Sequence, residues 1–327
     1  MKLDDIGFYT LSDERAKNVS WNSRLQRCEM ILTDRCNFKC QYCRGIKEDL
    51  RGDLTFSQAK EIVDIWSSGE LKNIRLSGGE PTVWIDLYEL IIYIKSKGNI
   101  NRIALSTNGS ADLDYYFRLH NAGVDDFSIS LDACCSMTAD AMAGTDAKFE
   151  HISHVIKELS KITYVTVGVV LNNRNNIELN NIIDYATNLG VSDIRIIPSA
   201  QTNERLKINR ETEYKILKYR ISNINNGRHV RGITKNDCHK CHLVKDDMAI
   251  LHGRHFPCII YMREFGQAIG TVYGKSLTQI RQERKKWFEK TNTYNDDICR
   301  RNCLDVCIDY NNRVEQINNT PTQREKE

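Results

Sequence analysis

Cys36, Cys40 and Cys43 stand in the segment TDRCNFKCQYC, spaced CxxxCxxC directly after an apolar run. Three thiolates on one short loop suit three corners of a four-iron cluster, which ordinarily takes four cysteines. Neither His nor Cys follows soon after Cys43, so a structural zinc site, which wants four nitrogen or sulfur ligands, is the poorer match. One iron is then left open for a ligand that the protein does not supply. A second group, Cys238, Cys241, Cys258, Cys299, Cys303 and Cys307, lies towards the C-terminal end. Clustering at short spacings, in a chain whose opening residues MKLDDIGFYTLSDERAKN make no signal peptide, points to metal ligation in a reducing, cytoplasmic setting. Cys28, alone in an apolar run, reads as an ordinary buried thiol.

Loops of this kind need a scaffold. Apolar strand-like runs recur at CEMILT (28–33), NIRLS (73–77), RIALST (102–107), DFSISL (126–131), YVTVGVVL (164–171) and DIRIIP (193–198), separated by helical patterns. Thr55 with Gln58 reads as a capping box, and Gly69 and Gly190 read as helix stops. Strands alternating with helices imply right-handed βαβ units and a parallel α/β sheet, open or closed into a barrel, with active groups at the C-terminal strand ends. The unusual residues fall on that rim: the three-cysteine loop follows the first strand, SGGEP (77–81) the second, STNGS (106–110) the third and Asp132 the fourth. Residues 1–27 form an N-terminal extension, 28–200 the core, 201–235 a polar helical connector and 236–310 a cysteine-rich segment needing a metal staple. Residues 311–327 are polar and expected to be disordered.

The CxxxCxYC loop, SGGEP after the second strand and the six-fold βα repeat together resemble the radical S-adenosylmethionine (radical SAM) superfamily over about residues 28–200. The resemblance implies a partial (βα)6 parallel barrel and a [4Fe-4S] cluster on Cys36, Cys40 and Cys43. Its open iron binds SAM, and reductive cleavage yields a 5′-deoxyadenosyl radical that removes a hydrogen atom from substrate. An external donor such as flavodoxin or ferredoxin supplies the electron. Gly78 and Gly79 let backbone approach the methionine part of SAM, and Glu80 anchors that loop or the SAM ammonium. Tyr42 falls where the family places an aromatic beside adenine. Ser106, Thr107, Asn108, Ser130 and Asp132 fall where it draws contacts to SAM or substrate. Arg75 either pairs with an anionic substrate group or forms a surface ion pair. Cys134 and Cys135, just past Asp132, are candidate hydrogen-atom donors or buried hydrophobes.

Cys241, then Gly253 and Cys258 in GRHFPC, resembles the GxxxxC hairpin of the SPASM and twitch extensions of this superfamily, and Cys299-x3-Cys303-x3-Cys307 their later cysteine-rich turn. The full SPASM ending, CxxCxxxxxCxxxC plus one further cysteine, is not met. The resemblance therefore implies a shortened, twitch-like unit with one auxiliary [4Fe-4S] cluster, or two with an open site. A zinc ribbon in which His239 or His242 takes part is the alternative.

Forty-six Lys and Arg against forty-three Asp and Glu give a formal charge of +3, which points to no nucleic-acid partner. With a mean hydropathy of -0.49 and no long apolar run, no membrane span is expected. The layout is also similar to the GTP cyclase of molybdenum-cofactor synthesis. Glu29, however, stands where that family carries an arginine for its triphosphate, and the closing QREKE differs from its Gly-Gly tail. Peptide-modifying members often carry a leader-binding module longer than the 27 residues before Cys28. The expected activity is therefore oxidation or epimerisation of a small natural-product precursor, then modification of a peptide, and most distantly a non-catalytic metal scaffold.

Overall fold

The computed structural model describes residues 2–44, 52–199 and 208–320. Its strands are β1 (Arg27–Ile31), β2 (Asn73–Ser77), β3 (Arg102–Thr107), β4 (Asp126–Ser130), β5 (Tyr164–Leu171), β6 (Asp193–Pro198), β7 (Asp247–Leu251), β8 (Arg254–Phe256) and β9 (Gly270–Thr271). Helices are α1 (Asp13–Asn18), α2 (Phe56–Ser67), α3 (Leu87–Ser96), α4 (Leu113–Ala122), α5 (Ser136–Ala143), α6 (Phe149–Ser160), α7 (Leu179–Asn188), α8 (Lys215–Asn225), α9 (Ile259–Arg263), α10 (Leu277–Lys290), α11 (Asp297–Asn302) and α12 (Asp305–Asn319). One sheet runs β6-β5-β4-β3-β2-β1-β7-β8-β9, parallel from β6 through β7 and antiparallel beyond.

The period-two pattern of the strands sorts the two faces of this sheet. In register, Met30, Leu76, Leu105, Phe127 and Val165 form an apolar row. That row packs on the buried stripes of the helices, such as Ala59, Ile62, Val63 and Trp66 of α2 and Leu87, Leu90, Ile91 and Ile94 of α3. The opposite face carries Glu29, Arg75, Ala104 and Asp126 in one row and Ser106, Ser128, Thr166 and Asp193 in the next. Polar and small residues therefore line the concave interior of a partial barrel. The capping box is present, with Thr55 Oγ1 accepting from Gln58 N and the Gln58 side chain returning to Thr55 N.

One expectation about the outer segments changes, that of a disordered tail. Within the expected connector, of which residues 201–207 lie outside the described residues, α8 packs on β6 and completes the sixth βα unit. From the cysteine-rich segment, β7 pairs with β1, Arg27 opposite Asp247, and widens the barrel sheet. The tail is helical to Asn319, because Val306, Tyr310 and Val314 on one face of α12 bury against Leu3, Ile6 and Leu11. Residues 321–327 lie outside the described residues. Among the described helices none is long and apolar enough to cross a membrane.

Buried ion pairs join the segment before β1 to the start of β7. Arg15, 6% exposed, reaches Asp246 Oδ1 at 2.5 Å and Asp247 Oδ1 at 2.7 Å, while Arg27 reaches Asp247 Oδ2 at 2.9 Å. Tyr9 closes the barrel floor: its hydroxyl meets Asn73 Oδ1 at 3.2 Å and Asp126 Oδ2 at 3.0 Å, with the Arg102 guanidinium over its ring.

Candidate functional site

The loop after β1 is laced to the loop after β2 by main chain. Gly79 N donates to Thr33 O at 2.7 Å and Glu80 N to Arg35 O at 2.8 Å. A Cβ on Gly78 would lie 2.6 Å from Thr33 O, and one on Gly79 2.6 Å from Asp34 O, so only glycine allows this approach. The two glycines were expected to make room for a ligand. They line the cavity, and the close approach that requires them is that of the cysteine loop itself. The far side of that loop is held by Lys39 N donating to Ala143 O at 2.8 Å, at the end of α5.

A cavity of about 270 Å³ opens at the C-terminal strand ends, lined by Cys36, Cys40, Cys43, Tyr42, Gly78, Gly79, Ser106, Thr107, Asn108, Ser130 and Asp132. Burial pushes the Cys40 thiol up to about 11 and raises Cys36 as well. Three thiols converging on a glycine-floored rim are the donor set a three-cysteine four-iron cluster requires, and the residues fit it.

The polar residues divide into those that face the cavity and those that hold it. Glu80, fully buried, accepts from Thr82 N at 3.1 Å, Thr82 Oγ1 at 2.7 Å, Thr107 Oγ1 at 2.7 Å and Asn108 N at 2.6 Å. Burial raises its pKa, and its oxygens are engaged with protein, as the expected loop anchor would be. Thr107, expected to contact substrate, spends its hydroxyl on Glu80 and Tyr116. Asn108 Nδ2 donates to Asn37 Oδ1 at 2.8 Å and so ties the end of β3 to the cysteine loop. Asp132 accepts from the Tyr42 hydroxyl and from Val170 N at 2.6 Å, which fixes the tyrosine ring beside the cysteines. Burial pushes the Asp132 carboxyl up to about 6.

Arg75 is turned towards protein groups. Its Nη1 donates to Ser106 Oγ at 2.8 Å and its Nη2 lies 3.9 Å from Asp126, so it is an interior residue beneath the cavity rather than a wall or surface group. Cys134 and Cys135 do not line the cavity. Their sulfurs face Glu178 Oε2 at 3.8 Å and Thr138 Oγ1 at 3.5 Å, and the hydrogen-donor role loses its geometric basis.

Sequence reasoning missed Ser128 and Gly168, which face the cavity from β4 and β5; the strand alternation that exposes Ser130 also exposes Ser128. It also missed Arg263, the last residue of α9, whose Nη2 stands 3.3 Å from Gly78 O and 3.5 Å from Ser77 Oγ. Its neighbour Glu264 pairs with Arg44, next to Cys43, so the C-terminal segment grips the cysteine loop. No motif marks a residue that reaches the site from so far along the chain.

Of the C-terminal cysteines, Cys241, Cys258, Cys299, Cys303 and Cys307 lie near enough to shift one another's thiol acidity. Burial raises Cys241, with Cys258 and Cys307 adding to it, and Cys299 rises through burial, Cys258 and Cys241. Cys303 and Cys307 share a hydrogen bond that raises the first and lowers the second. The GRHFPC hairpin is the turn from β7 to β8, with His252 at φ 47° and Gly253 at φ 69°. Cys238 is set apart: its sulfur lies by Lys240 O and Glu315.

Residues 30–186 match the model of the Radical SAM superfamily. A probable GTP 3′,8-cyclase of Saccharolobus islandicus is 31% identical over 178 residues, 53% of this chain and 56% of the relative. The GTP 3′,8-cyclase of Staphylococcus carnosus is 30% identical over 183 residues, 53% of this chain and 48% of the relative. The chain thus spans about half the length of the curated relatives it matches. Among solved structures, Streptococcus suis SuiB bound to S-adenosylmethionine superposes with a TM-score of 0.60 at 14% identity, covering 83% of this chain and 67% of that one. The anSMEcpe structure with AdoMet and a Kp18Cys peptide gives 0.59 at 13% identity, covering 90% and 100%. At such identities the likeness is one of fold.

Proposed function

We propose that this chain, whose residues 30–186 match the Radical SAM superfamily, oxidises or epimerises a small, hydroxylated natural-product precursor by hydrogen-atom abstraction. The observation that carries this reading is a single cavity joining Cys36, Cys40 and Cys43 to the hydroxyls of Ser106, Ser128 and Ser130. When bound, the cluster and SAM supply the hydrogen-abstracting radical. The chain's own residues do the rest. The three cysteines hold the cluster, Asp132 aims Tyr42, and Glu80 keeps the two loops in register. Tyr9 closes the barrel floor, so substrate enters from the rim.

An oxidation leaves one electron on the substrate, and the group of Cys241, Cys258, Cys299, Cys303 and Cys307 offers enough thiols for one auxiliary [4Fe-4S] cluster to receive it, with one thiol to spare. Flavodoxin or ferredoxin would supply the first electron. Total iron tests the auxiliary part: about eight per chain supports it, and about four sinks it. Peptide modification is the second reading, supported by the peptides in the SuiB and anSMEcpe structures that share this fold. The activity named for the curated relatives makes GTP a necessary test substrate.

Anaerobically reconstituted protein with SAM and a strong reductant should form 5′-deoxyadenosine, and a Cys36→Ala, Cys40→Ala, Cys43→Ala variant should form none. Polyols and aminocyclitols should accelerate cleavage more than peptides or GTP. If intact, iron-loaded protein neither binds nor cleaves SAM, the proposal is wrong.

A further inference from the structure

The thiol left out of the cysteine group has other company. Cys238 N donates to Asn312 Oδ1 at 2.6 Å and His242 N to Asn311 Oδ1 at 2.7 Å, so two adjacent asparagines of α12 pin residues 238–242 along that helix. One turn further on, Glu315 places Oε2 3.8 Å from Cys238 Sγ and 3.3 Å from His242 Nε2. Thiol, imidazole and carboxylate donor atoms all lie within 4.8 Å of one another.

These separations are long for strong hydrogen bonds. A tetrahedral ion holding sulfur at about 2.3 Å and nitrogen or oxygen at about 2.0–2.2 Å sets its ligands roughly 3.3–3.7 Å apart. The two separations to Glu315, 3.3 and 3.8 Å, lie close to that range, and the third pair is within 4.8 Å. His242 is 4% exposed, and its Nδ1 is buried with no hydrogen-bond partner, so the 3.3 Å contact is the ring's one polar interaction among the described residues. Of the nearby cations, Lys240 is bound away from the cluster, while Lys245 stays within electrostatic reach of Cys238, His242 and Glu315. Lys240 Nζ donates to the carbonyls of Phe288, Glu289 and Thr291, and Lys245 Nζ lies over the Phe288 ring. The second oxygen of Glu315 faces Asn319 Nδ2 at 3.4 Å, a contact that orients the carboxylate. With its side chain 46% exposed, Glu315 leaves one side of the cluster to solvent.

We propose that Cys238, His242 and Glu315 form a mononuclear site for a divalent transition metal of zinc type, with water as fourth ligand, separate from any iron–sulfur cluster. The ion clamps residues 238–242 to α12. Soft sulfur with imidazole and carboxylate favours zinc over magnesium or calcium. His239 is not a ligand; its ring stacks on Tyr294.

The test uses the iron-loaded full chain, incubated anaerobically with Zn²⁺ and dialysed, with iron and zinc counted and the zinc environment read by X-ray absorption. About one tightly held zinc per chain is expected, with one sulfur and two or three nitrogen or oxygen neighbours. Cys238→Ala, His242→Gln and Glu315→Gln should each reduce zinc to background without changing iron. Glu315→Gln is a mild change at a partly exposed side chain, and the absorption spectrum of the unaltered protein needs no variant. Absence of zinc from the unaltered protein overturns the proposal. So does an all-sulfur zinc shell, which would place the ion among the other cysteines. Loss of iron in Cys238→Ala also overturns it, by making Cys238 a cluster ligand.

Discussion

Glu80 shows how far a motif residue's role depends on its surroundings. In SGGEP it is one carboxylate beside two glycines; in the fold it is a buried acceptor for four donors on two loops. Glu80→Gln replaces one accepting oxygen with a donor facing other donors. It should destabilise the protein by about 2–3 kcal/mol in chemical denaturation and weaken SAM binding measured by calorimetry. His255 gives a pH signature. Burial, followed by the nearby Arg284 charge, pushes its imidazole down to about 4. Nδ1 faces Arg284 Nη1 at 3.4 Å and Nε2 meets Glu283 Oε2 at 3.0 Å, an arrangement suited to the neutral ring. The unfolded chain, titrating near 6.5, binds more protons than the native state between about pH 6.5 and 4, so stability is full above that window and falls as pH drops through it. Thermal midpoints at about pH 7 and about pH 5 should differ less in His255→Gln than in the unaltered protein.

At the level of elements, the cysteine loop is held by neighbours on three sides: the loop after β2, the end of α5 and the turn beyond α9. The strand runs were legible because their apolar alternation is strong, and each of β1 to β6 starts and ends within two residues of its expected limits. The seventh parallel strand was not legible. Asp247–Leu251 is short and buried throughout, and nothing local distinguishes a hairpin arm from a strand that joins β1. Gly79→Ala tests the lacing of the loops. Its Cβ would press on Asp34 O, so the variant should lose most of the iron bound at Cys36, Cys40 and Cys43 while keeping its fold by circular dichroism. Full iron retention would show that the loop tolerates the displacement.

Across the whole molecule, the segment before β1 and the segment after β6 close on each other through Arg15, Asp246 and Asp247. Replacing Arg15 by Ala would leave Asp246 buried without its cation and Asp247 with Arg27 alone. The expected cost is about 3–5 kcal/mol, read by urea unfolding, whereas Arg313→Ala at the more exposed pair with Asp13 should cost under about 1 kcal/mol. Equal effects would mean that the buried pair is solvated in solution.

By itself the sequence determined the chemistry and the barrel. CxxxCxxC, SGGEP and the alternating strands are local patterns, and local patterns dictate strand faces, turn geometry and ligand type. Tertiary structure alone decided which polar groups are free to act. Glu80 and Thr107 are consumed by each other, Arg75 is drawn beneath the floor of the cavity, and Cys134 and Cys135 turn away from it. Arg263 enters from a distant helix, and Cys238 parts from Cys241, three residues along, to face α12. The reason is physical: a buried polar group must take whichever partner the packing brings to it, and that partner is usually remote in the chain.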